Sequence, residues 1–366
     1  ALAILPLLEF GGVVQSAAIS RLMLFRLDLI VQLAHIGVRS LAAIAFAWMD
    51  YGVWSLILGG IVGRAAALAM YWVAVPYLPR FRFSARFVDS SLTFSVRLFI
   101  DNLVWYLQTN VDFLLVGRVL GATPLGFYQA GYRLADEVKN RVIGPLQKVL
   151  FPAFASLRTE PERLADAYLR SVRILAVFLA PIGLGMAAVA NDIVWVLYGA
   201  GWERAASVMS LLGPFVVFRS ALSTPTFSLL RATDMMQVSV RLQLYALLLS
   251  GGFAAAGLPW GIVGVATGIG LSAIAWMPIV MVSLKFRLMI GYGTLISALG
   301  PPFVAGAAMY IVVSAVSIVL PDQGLHRLMH LAILVLLGAV IYVGLLWGIA
   351  RTHVAQLRAA FSAMRL

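Results

Sequence analysis

Five side chains able to bind ions or sugars recur at helical spacing within one apolar stretch of the chain. They are Arg97, Asp101, Trp105, Gln108 and Asp112, separated by four, four, three and four residues. That spacing places all five on one face of an α-helix. A guanidinium group binds anions, and a carboxylate can carry a cation or a proton. We therefore predict a polar path along this face; the competing interpretation is a structural face within a helix bundle.

A second group of charges follows in the next apolar stretch, residues 126–157. Arg133, Glu137 and Arg141 are spaced by four residues and can form ion pairs along one helix. Together with the first face they predict a polar, mostly cationic cavity between two lobes. Arginine suits a phosphate ligand because it is always charged and donates in a bidentate fork. The alternative is that residues 126–157 form a partly interfacial helix whose charged face is solvated.

Isolated arginines occur in three other apolar stretches, at Arg39, Arg64 and Arg219. An ionisable group near the centre of a bilayer costs at least ~2.5–3.5 kcal/mol, so it usually faces a cavity or a partner. We include Arg39 and Arg64 in the predicted cavity. The alternative for both is that the charged end extends along its apolar stem to the membrane surface.

The elements that position these residues are membrane-spanning helices. The chain is 62% hydrophobic and 11% charged, with a mean hydropathy of +0.96, whereas a soluble domain carries about 25% charged residues. Long apolar stretches must be helical because backbone groups inside lipid pair only within their own segment. The predicted helices span residues 1–20, 29–48, 52–75, 91–118, 126–157, 171–190, 204–229, 239–256, 261–284, 294–319 and 328–350. The expected fold class is an all-α, polytopic membrane protein.

The loops between these helices alternate in charge. Basic loops lie at 21–26, 80–86, 158–173, 231–241, 285–287 and 351–366, and loops with few charges lie at 49–51, 119–125, 191–203, 257–260 and 320–327. By the positive-inside bias, the basic loops and the C-terminus are predicted to be cytoplasmic, with Ala1 on the outer side. The net charge of +12 then faces anionic lipid headgroups, so nucleic-acid binding is not expected.

The sequence predicts neither a cofactor nor a metal site. The absence of cysteine excludes disulfides and thiolate ligands. His326 and His330 are four residues apart, but no third ligand lies near them in sequence. We interpret them as residues of the membrane interface.

A weak internal repeat relates residues 51–63 to residues 260–272. Tyr51-Gly52-Val53 corresponds to Trp260-Gly261-Ile262, and small residues spaced by four follow in both segments, at Ser55, Gly59 and Gly63 and at Gly264, Gly268 and Ser272. Such ridges let a neighbouring helix approach closely. The two segments cross the membrane in the same direction, which predicts a parallel, two-lobed repeat. The alternative is that small residues are simply common in membrane helices.

This repeat predicts a domain organisation. Residues 1–78 are expected to form the second half of an N-terminal lobe, and residues 79–286 a C-terminal lobe of six helices. Residues 287–350 are expected to add a helix pair, and residues 351–366 a cytoplasmic tail. The symmetry also predicts three helices preceding residue 1, which would give fourteen in the intact protein.

Short motifs between residues 110 and 202 resemble one family of exporters. They are Asn110-Val111-Asp112, Leu115-Val116-Gly117-Arg118-Val119-Leu120-Gly121, Leu125-Gly126-Phe127-Tyr128, Tyr132-Arg133-Leu134, Val149-Leu150-Phe151-Pro152-Ala153-Phe154, Glu162-Arg163-Leu164, Leu197-Tyr198-Gly199 and Trp202. Their order and spacing resemble the Wzx-type flippases of the multidrug/oligosaccharidyl-lipid/polysaccharide exporter superfamily. The resemblance is closest to the capsule, colanic-acid and teichuronic-acid exporter type.

The resemblance implies translocation of an undecaprenyl-diphosphate-linked oligosaccharide across the bacterial inner membrane by alternating access. It also implies two six-helix lobes around a central cavity, with the lipid bilayer and the lipid-linked oligosaccharide as partners. The polysaccharide polymerase machinery is a further candidate partner. Only the charges between Arg97 and Arg141 correspond to the family's cavity charges.

Two other functions remain open from the sequence. A cation-coupled drug or metabolite antiporter of the same superfamily would use Asp101 and Asp112 as ion or proton carriers. A membrane polysaccharide polymerase or glycosyltransferase would need a sizeable hydrophilic loop, whereas the longest polar stretch, residues 158–173, is short. The excess of arginine over acid favours an anionic substrate over the cation-coupled antiporter, and the shortness of the polar stretch favours a protein that is not an enzyme.

Overall fold

A computed structural model describes residues 4–21, 25–75, 85–288, 290–319 and 327–349, and the regular secondary structure within these ranges is helical. The α-helices are α1 Ile4–Arg21, α2 Phe25–Trp48, α3 Trp54–Ala74, α4 Ala85–Leu115, α5 Ala122–Ser156, α6 Pro161–Ala188, α7 Ala190–Tyr198, α8 Glu203–Ala232, α9 Met236–Gly257, α10 Gly261–Leu288, α11 Tyr292–Val319 and α12 Arg327–Ile349. A π-helical turn, Val116–Leu120, follows α4, and a 3₁₀ turn, Leu258–Trp260, joins α9 to α10.

Each of the eleven predicted helices is present, and the largest differences concern α6 and α7. Helix α6 begins at Pro161 rather than at residue 171. Proline is favoured at the first position of a helix, and Glu162 in the first turn complements the helix dipole. The short helix α7 was missed because nine residues are too few to show a clear period.

Seven segments of the described chain are long and apolar enough to cross a membrane, and one of them, Met236–Lys285, contains both α9 and α10. Helix α1 is apolar but shorter, and α4 and α5 are too polar to qualify by composition. The all-α, polytopic fold class is confirmed. The predicted site residues of α4 and α5 therefore lie on long helices that are not among the apolar candidate spans.

Helices α1–α3 form one compact unit, which ends along the chain at Asp89 in the first turns of α4. Helices α2 and α3 pack on each other through the predicted glycine ridge. A Cβ added at Gly59 would lie 2.8 Å from the Ala43 Cβ, and one added at Gly63 would lie 2.7 Å from the Arg39 Cβ. The backbones approach closely because these positions lack a side chain.

The second unit, from Ser90 onwards, is organised around α8, which packs against α5, α6 and α10. Small and apolar residues are buried on several sides of α8, as expected for a helix enclosed by others. Helix α11 packs on α6, and α12 packs on α11 and α7. Among the described residues of this unit, the largest fully buried side chain is that of Trp276 of α10, which stacks on Phe227 of α8.

The two segments of the sequence repeat have matching local structure. Gly264 and Gly268 of α10 lie against the backbone of α9, as the ridge of α3 lies against α2. The turn before each ridge holds a glycine with positive φ, Gly52 at 52° and Gly261 at 67°. Glycine adopts this conformation without the steric cost that other residues meet.

Candidate functional site

Asp101 is the centre of a buried polar cluster in the second unit. Its side chain, only 1% exposed, accepts a hydrogen bond from Gln243 Nε2 at 2.7 Å and a longer one from Ser239 Oγ at 3.4 Å. Arg231, at the end of α8, lies 3.3 Å from the other carboxylate oxygen and is 47% exposed. The Gln243 Oε1 atom is buried without a hydrogen-bond partner in the described chain. The cluster therefore joins α4, α8 and α9 through one carboxylate.

Asp112 lies farther along α4 and is also buried, at 3% exposure. It accepts a hydrogen bond from the Tyr128 hydroxyl at 2.8 Å. Phe113 makes edge-to-face contacts with Tyr128 and Tyr132, at centroid distances of 5.6 and 5.0 Å. The Asp112 carboxylate thus lies beside a cluster of aromatic side chains contributed by α4 and α5.

Arg219 of α8 belongs to the same region, although the sequence showed it only as an isolated arginine. It interacts electrostatically with Asp112 and Tyr132. Its guanidinium carbon lies 5.3 Å from the centroid of the Trp276 ring, a cation–π contact. No signal in the sequence relates Arg219 to Asp112, because the two residues lie more than one hundred positions apart in the chain.

The predicted face of α4 is divided between different environments. Asp101 and Asp112 are buried, Gln108 is partly buried and Trp105 is 52% exposed. The side chain of Arg97 lies outside the described residues. The structure thus brings Asp101 and Asp112 into the interior of the second unit, each with partners from other helices, while Trp105 remains on the surface of that unit.

The predicted site charges of α5 lie on an exposed face of the second unit. Glu137 and Arg141 pair as expected, 2.9 Å apart, and their side chains are 66% and 81% exposed. Arg133 is exposed as well. An exposed ion pair of this kind contributes only about 0.3–0.5 kcal/mol to the stability of the fold.

Arg39 and Arg64 belong to the first unit. Arg64 of α3 pairs with Glu9 of α1, and Arg39 of α2 is exposed beside the glycine ridge. Asp28 of α2 accepts hydrogen bonds from Tyr71 of α3, at 3.0 Å, and from Gln32, at 2.8 Å. Polar contacts therefore join all three helices of this unit.

The histidine pair predicted for the interface is only partly described. His326 lies outside the described residues. His330 of α12 is buried, and its Nδ1 lies 3.4 Å from an Asp192 carboxylate oxygen of α7. Within the described chain, no group of three or more acidic or histidine side chains is arranged to hold a metal ion.

Comparison with known proteins identifies the family. A family model described as a polysaccharide biosynthesis protein matches residues 1–207. The succinoglycan biosynthesis transport protein ExoT of Rhizobium meliloti is 29% identical over 205 residues, covering 56% of this chain and 42% of ExoT. The lipopolysaccharide biosynthesis protein WzxC of Escherichia coli is 28% identical over 276 residues, covering 73% of this chain and 55% of WzxC.

A more extensive match is the teichuronic acid biosynthesis protein TuaB of Bacillus subtilis, 25% identical over 83% of this chain and 63% of TuaB. The chain thus spans about half the length of these relatives.

Among solved structures, the lipid II flippase MurJ in an inward closed conformation matches 84% of this chain and 65% of its own, with a TM-score of 0.66 at 15% identity. This likeness shows a shared fold. The match to residues 1–207, more than half of the chain, shows that this protein belongs to the polysaccharide biosynthesis protein family.

Proposed function

We propose that this chain is part of a flippase that moves polyprenyl-diphosphate-linked oligosaccharides across the bacterial cytoplasmic membrane during surface polysaccharide synthesis. One observation carries the proposal: charged and amide side chains are enclosed within an apolar helix bundle, around Asp101 and between Asp112 and Arg219. The similar proteins ExoT, WzxC and TuaB are named for the transport or biosynthesis of such polysaccharides, which supports this substrate class.

The chemistry of such a substrate explains why polar groups belong in these helices. An oligosaccharide carries many hydroxyl groups, and burying each in hydrocarbon without a hydrogen bond costs several kcal/mol, about 4–8 on an alkane scale. The diphosphate is costlier because it is charged. A protein that moves this headgroup must offer donors and acceptors along the way, while the polyprenyl tail can stay in the lipid.

The proposal includes an orientation and an architecture. The alternating loop charges support a cytoplasmic C-terminus in the inner membrane. The matched glycine ridges and turns of α3 and α10 support two lobes related by a parallel repeat. In that arrangement, α1–α3 belong to one lobe and α4–α10 to the other, followed by α11 and α12. The polymerase machinery that receives the flipped lipid is the proposed partner.

Deletion of the complete gene in its own host tests the function. We expect surface polysaccharide to disappear and finished lipid-linked repeat units to accumulate, and a plasmid copy of the gene to reverse both effects. The measurement is mass spectrometry of extracted lipids, with surface polysaccharide measured in the same cells.

The form in which the precursor accumulates separates the function classes. Unfinished repeat units would identify a glycosyltransferase. Single repeat units exposed on the outer leaflet would identify a polymerase. Finished units that stay on the cytoplasmic leaflet are the result that a flippase requires.

The cation-coupled antiporter is less well supported, because both candidate carrier carboxylates already have partners. Asp101 contacts Arg231, Ser239 and Gln243, and Asp112 accepts a hydrogen bond from Tyr128. Efflux of cationic dyes that depends on a Na⁺ or proton gradient, lost on deletion of the gene, would support the antiporter instead.

A further inference from the structure

Arg219 lies near the middle of a membrane-spanning helix. Helix α8 runs from Glu203 to Ala232, so Arg219 is about 24 Å from one end and about 20 Å from the other, at 1.5 Å per residue. A side chain at this depth cannot easily extend to either membrane surface. Its positive charge therefore needs compensation within the protein or from a ligand.

The protein compensates this charge only in part. Arg219 forms no hydrogen bond and no close ion pair with any side chain in the part of the chain that the structure describes. The nearby Asp112 acts on it electrostatically, but that carboxylate accepts the Tyr128 hydroxyl at 2.8 Å. The guanidinium group has five N–H donors, and Arg219 is only partly buried. Its donors thus lack hydrogen-bond partners among the described residues.

The surroundings hold the guanidinium group in place. The Trp276 ring supports it at 5.3 Å, and the indole Nε1 of that ring donates to the Leu242 carbonyl oxygen at 3.1 Å. Tyr132 of α5 is near enough to interact electrostatically with Arg219, and its hydroxyl forms no hydrogen bond with described residues. A positioned guanidinium with a free hydroxyl nearby is a suitable binding site for a phosphate oxygen.

We propose that Arg219, assisted by the Tyr132 hydroxyl, binds the diphosphate of a lipid-linked substrate within the second unit. This inference rests on the proposed flippase function and assigns a residue to it. Asp112 limits the affinity, because its negative charge opposes a second anion close by. A transported ligand must bind tightly enough to enter the site and weakly enough to leave it.

Binding of a short-chain analogue tests the assignment. The complete protein, in nanodiscs of zwitterionic lipid, is titrated with farnesyl diphosphate, farnesol and inorganic pyrophosphate, and affinity is measured by microscale thermophoresis. Arg219→Gln should weaken farnesyl diphosphate binding about tenfold or more, the loss expected for hydrogen bonds to a charged group. Arg219→Lys should retain part of the affinity, because it keeps the charge and loses the fork.

The matched control is Arg204→Gln, the same substitution on the same helix at an exposed position, and it should bind like the unaltered protein. Thermal unfolding of each variant shows whether the fold survives. If Arg219→Gln does not fold, Tyr132→Phe, which removes only the hydroxyl, should still lower the affinity severalfold.

The outcomes separate the inference from the function on which it rests. The assignment of Arg219 would be overturned if the folded variants Arg219→Gln and Tyr132→Phe bound farnesyl diphosphate as tightly as the unaltered protein does. The flippase proposal would remain intact. Equal binding of farnesyl diphosphate and farnesol by the unaltered protein would count against a diphosphate-linked substrate altogether. Pyrophosphate binding as tight as that of farnesyl diphosphate would assign the site to free phosphate, and suppression by added phosphatidylglycerol would assign it to phospholipid headgroups.

Discussion

At the scale of single residues, the charged side chains of this protein differ in whether other helices supply hydrogen-bond or ion-pair partners for them. Asp101 shows the extreme case, since donors from α8 and α9 converge on one buried carboxylate. Arg231 is instead about half exposed, so water can solvate it when the carboxylate is removed. The two partners of this ion pair should therefore contribute unequally to stability.

We expect Asp101→Ala to destabilise the protein more than Arg231→Ala does. Removing the carboxylate leaves the buried Gln243 amide without its acceptor inside the protein, and a buried donor left unpaired in this way costs about 1–3 kcal/mol. Arg231→Ala should cost less, because Gln243 and Ser239 still donate to Asp101. Thermal unfolding of the purified variants measures both effects. Asp166→Ala, at an exposed acidic residue of α6, is the control and should change little.

The sequence identified the two buried carboxylates of this site but not their partners. Asp101 and Asp112 were predicted from helical spacing, because a carboxylate in an apolar stretch is conspicuous. Their partners Arg231 and Gln243 lie 130 and 142 residues from Asp101, and only the packing of α4 against α8 and α9 brings them together. Spacing along one helix also could not show that Trp105 is exposed while its neighbours on the face are buried.

At the scale of helices, close packing depends on individual glycines rather than on the small-residue content of a segment. Gly59 and Gly60 are adjacent in α3, yet only Gly59 lies against the backbone of α2. A Cβ at Gly59 would lie 2.8 Å from the Ala43 Cβ and 2.9 Å from the Arg39 carbonyl oxygen, while one at Gly60 would approach nothing closer than 3.8 Å. The four-residue spacing in the sequence identified the correct glycine.

Gly59→Ala should therefore destabilise the first unit, whereas Gly60→Ala should not. The added methyl group at position 59 meets backbone atoms that cannot turn away, and overpacking of this kind costs about 1–3 kcal/mol. At position 60, alanine fits and favours the helix by up to about 1 kcal/mol. Resistance of the α2–α3 region to limited proteolysis, followed by mass spectrometry, distinguishes the two. Equal protection of both variants would mean that α2 and α3 do not rely on this contact.

The positions of the helices were predictable because the backbone N–H and C=O groups of a single apolar stretch in lipid can form their hydrogen bonds only within a helix. The helix ends were harder, as α6 and α7 show. Residues 161–170 are polar enough to read as a loop, but Pro161 begins a helix there. Residues 190–198 follow α6 after a single intervening residue, Val189, so no polar loop marks the break.

At the scale of the whole molecule, the predicted orientation depends only on loop charge and helix count. Each membrane-spanning helix moves the chain to the opposite side of the membrane, so successive loops are assigned to alternating sides. The connections within the described ranges are short. The turn between α5 and α6, Leu157–Glu160, is then on the opposite side from the turns that follow the π-helical turn and α7. Because the chain has no cysteine, one introduced thiol reports one location.

Single cysteines at three exposed positions test this orientation in intact cells. Ser156, at the end of α5, lies next to the basic residues 158–173 and should resist a membrane-impermeant maleimide until the cells are opened. Ala122, at the start of α5, and Ala200, after α7, should react without lysis. All three are exposed, so differences in reactivity report the side of the membrane rather than burial. Labelling of Ser156→Cys in intact cells, with Ala122→Cys and Ala200→Cys protected, would invert the orientation and place the Arg231 end of α8 outside the cell.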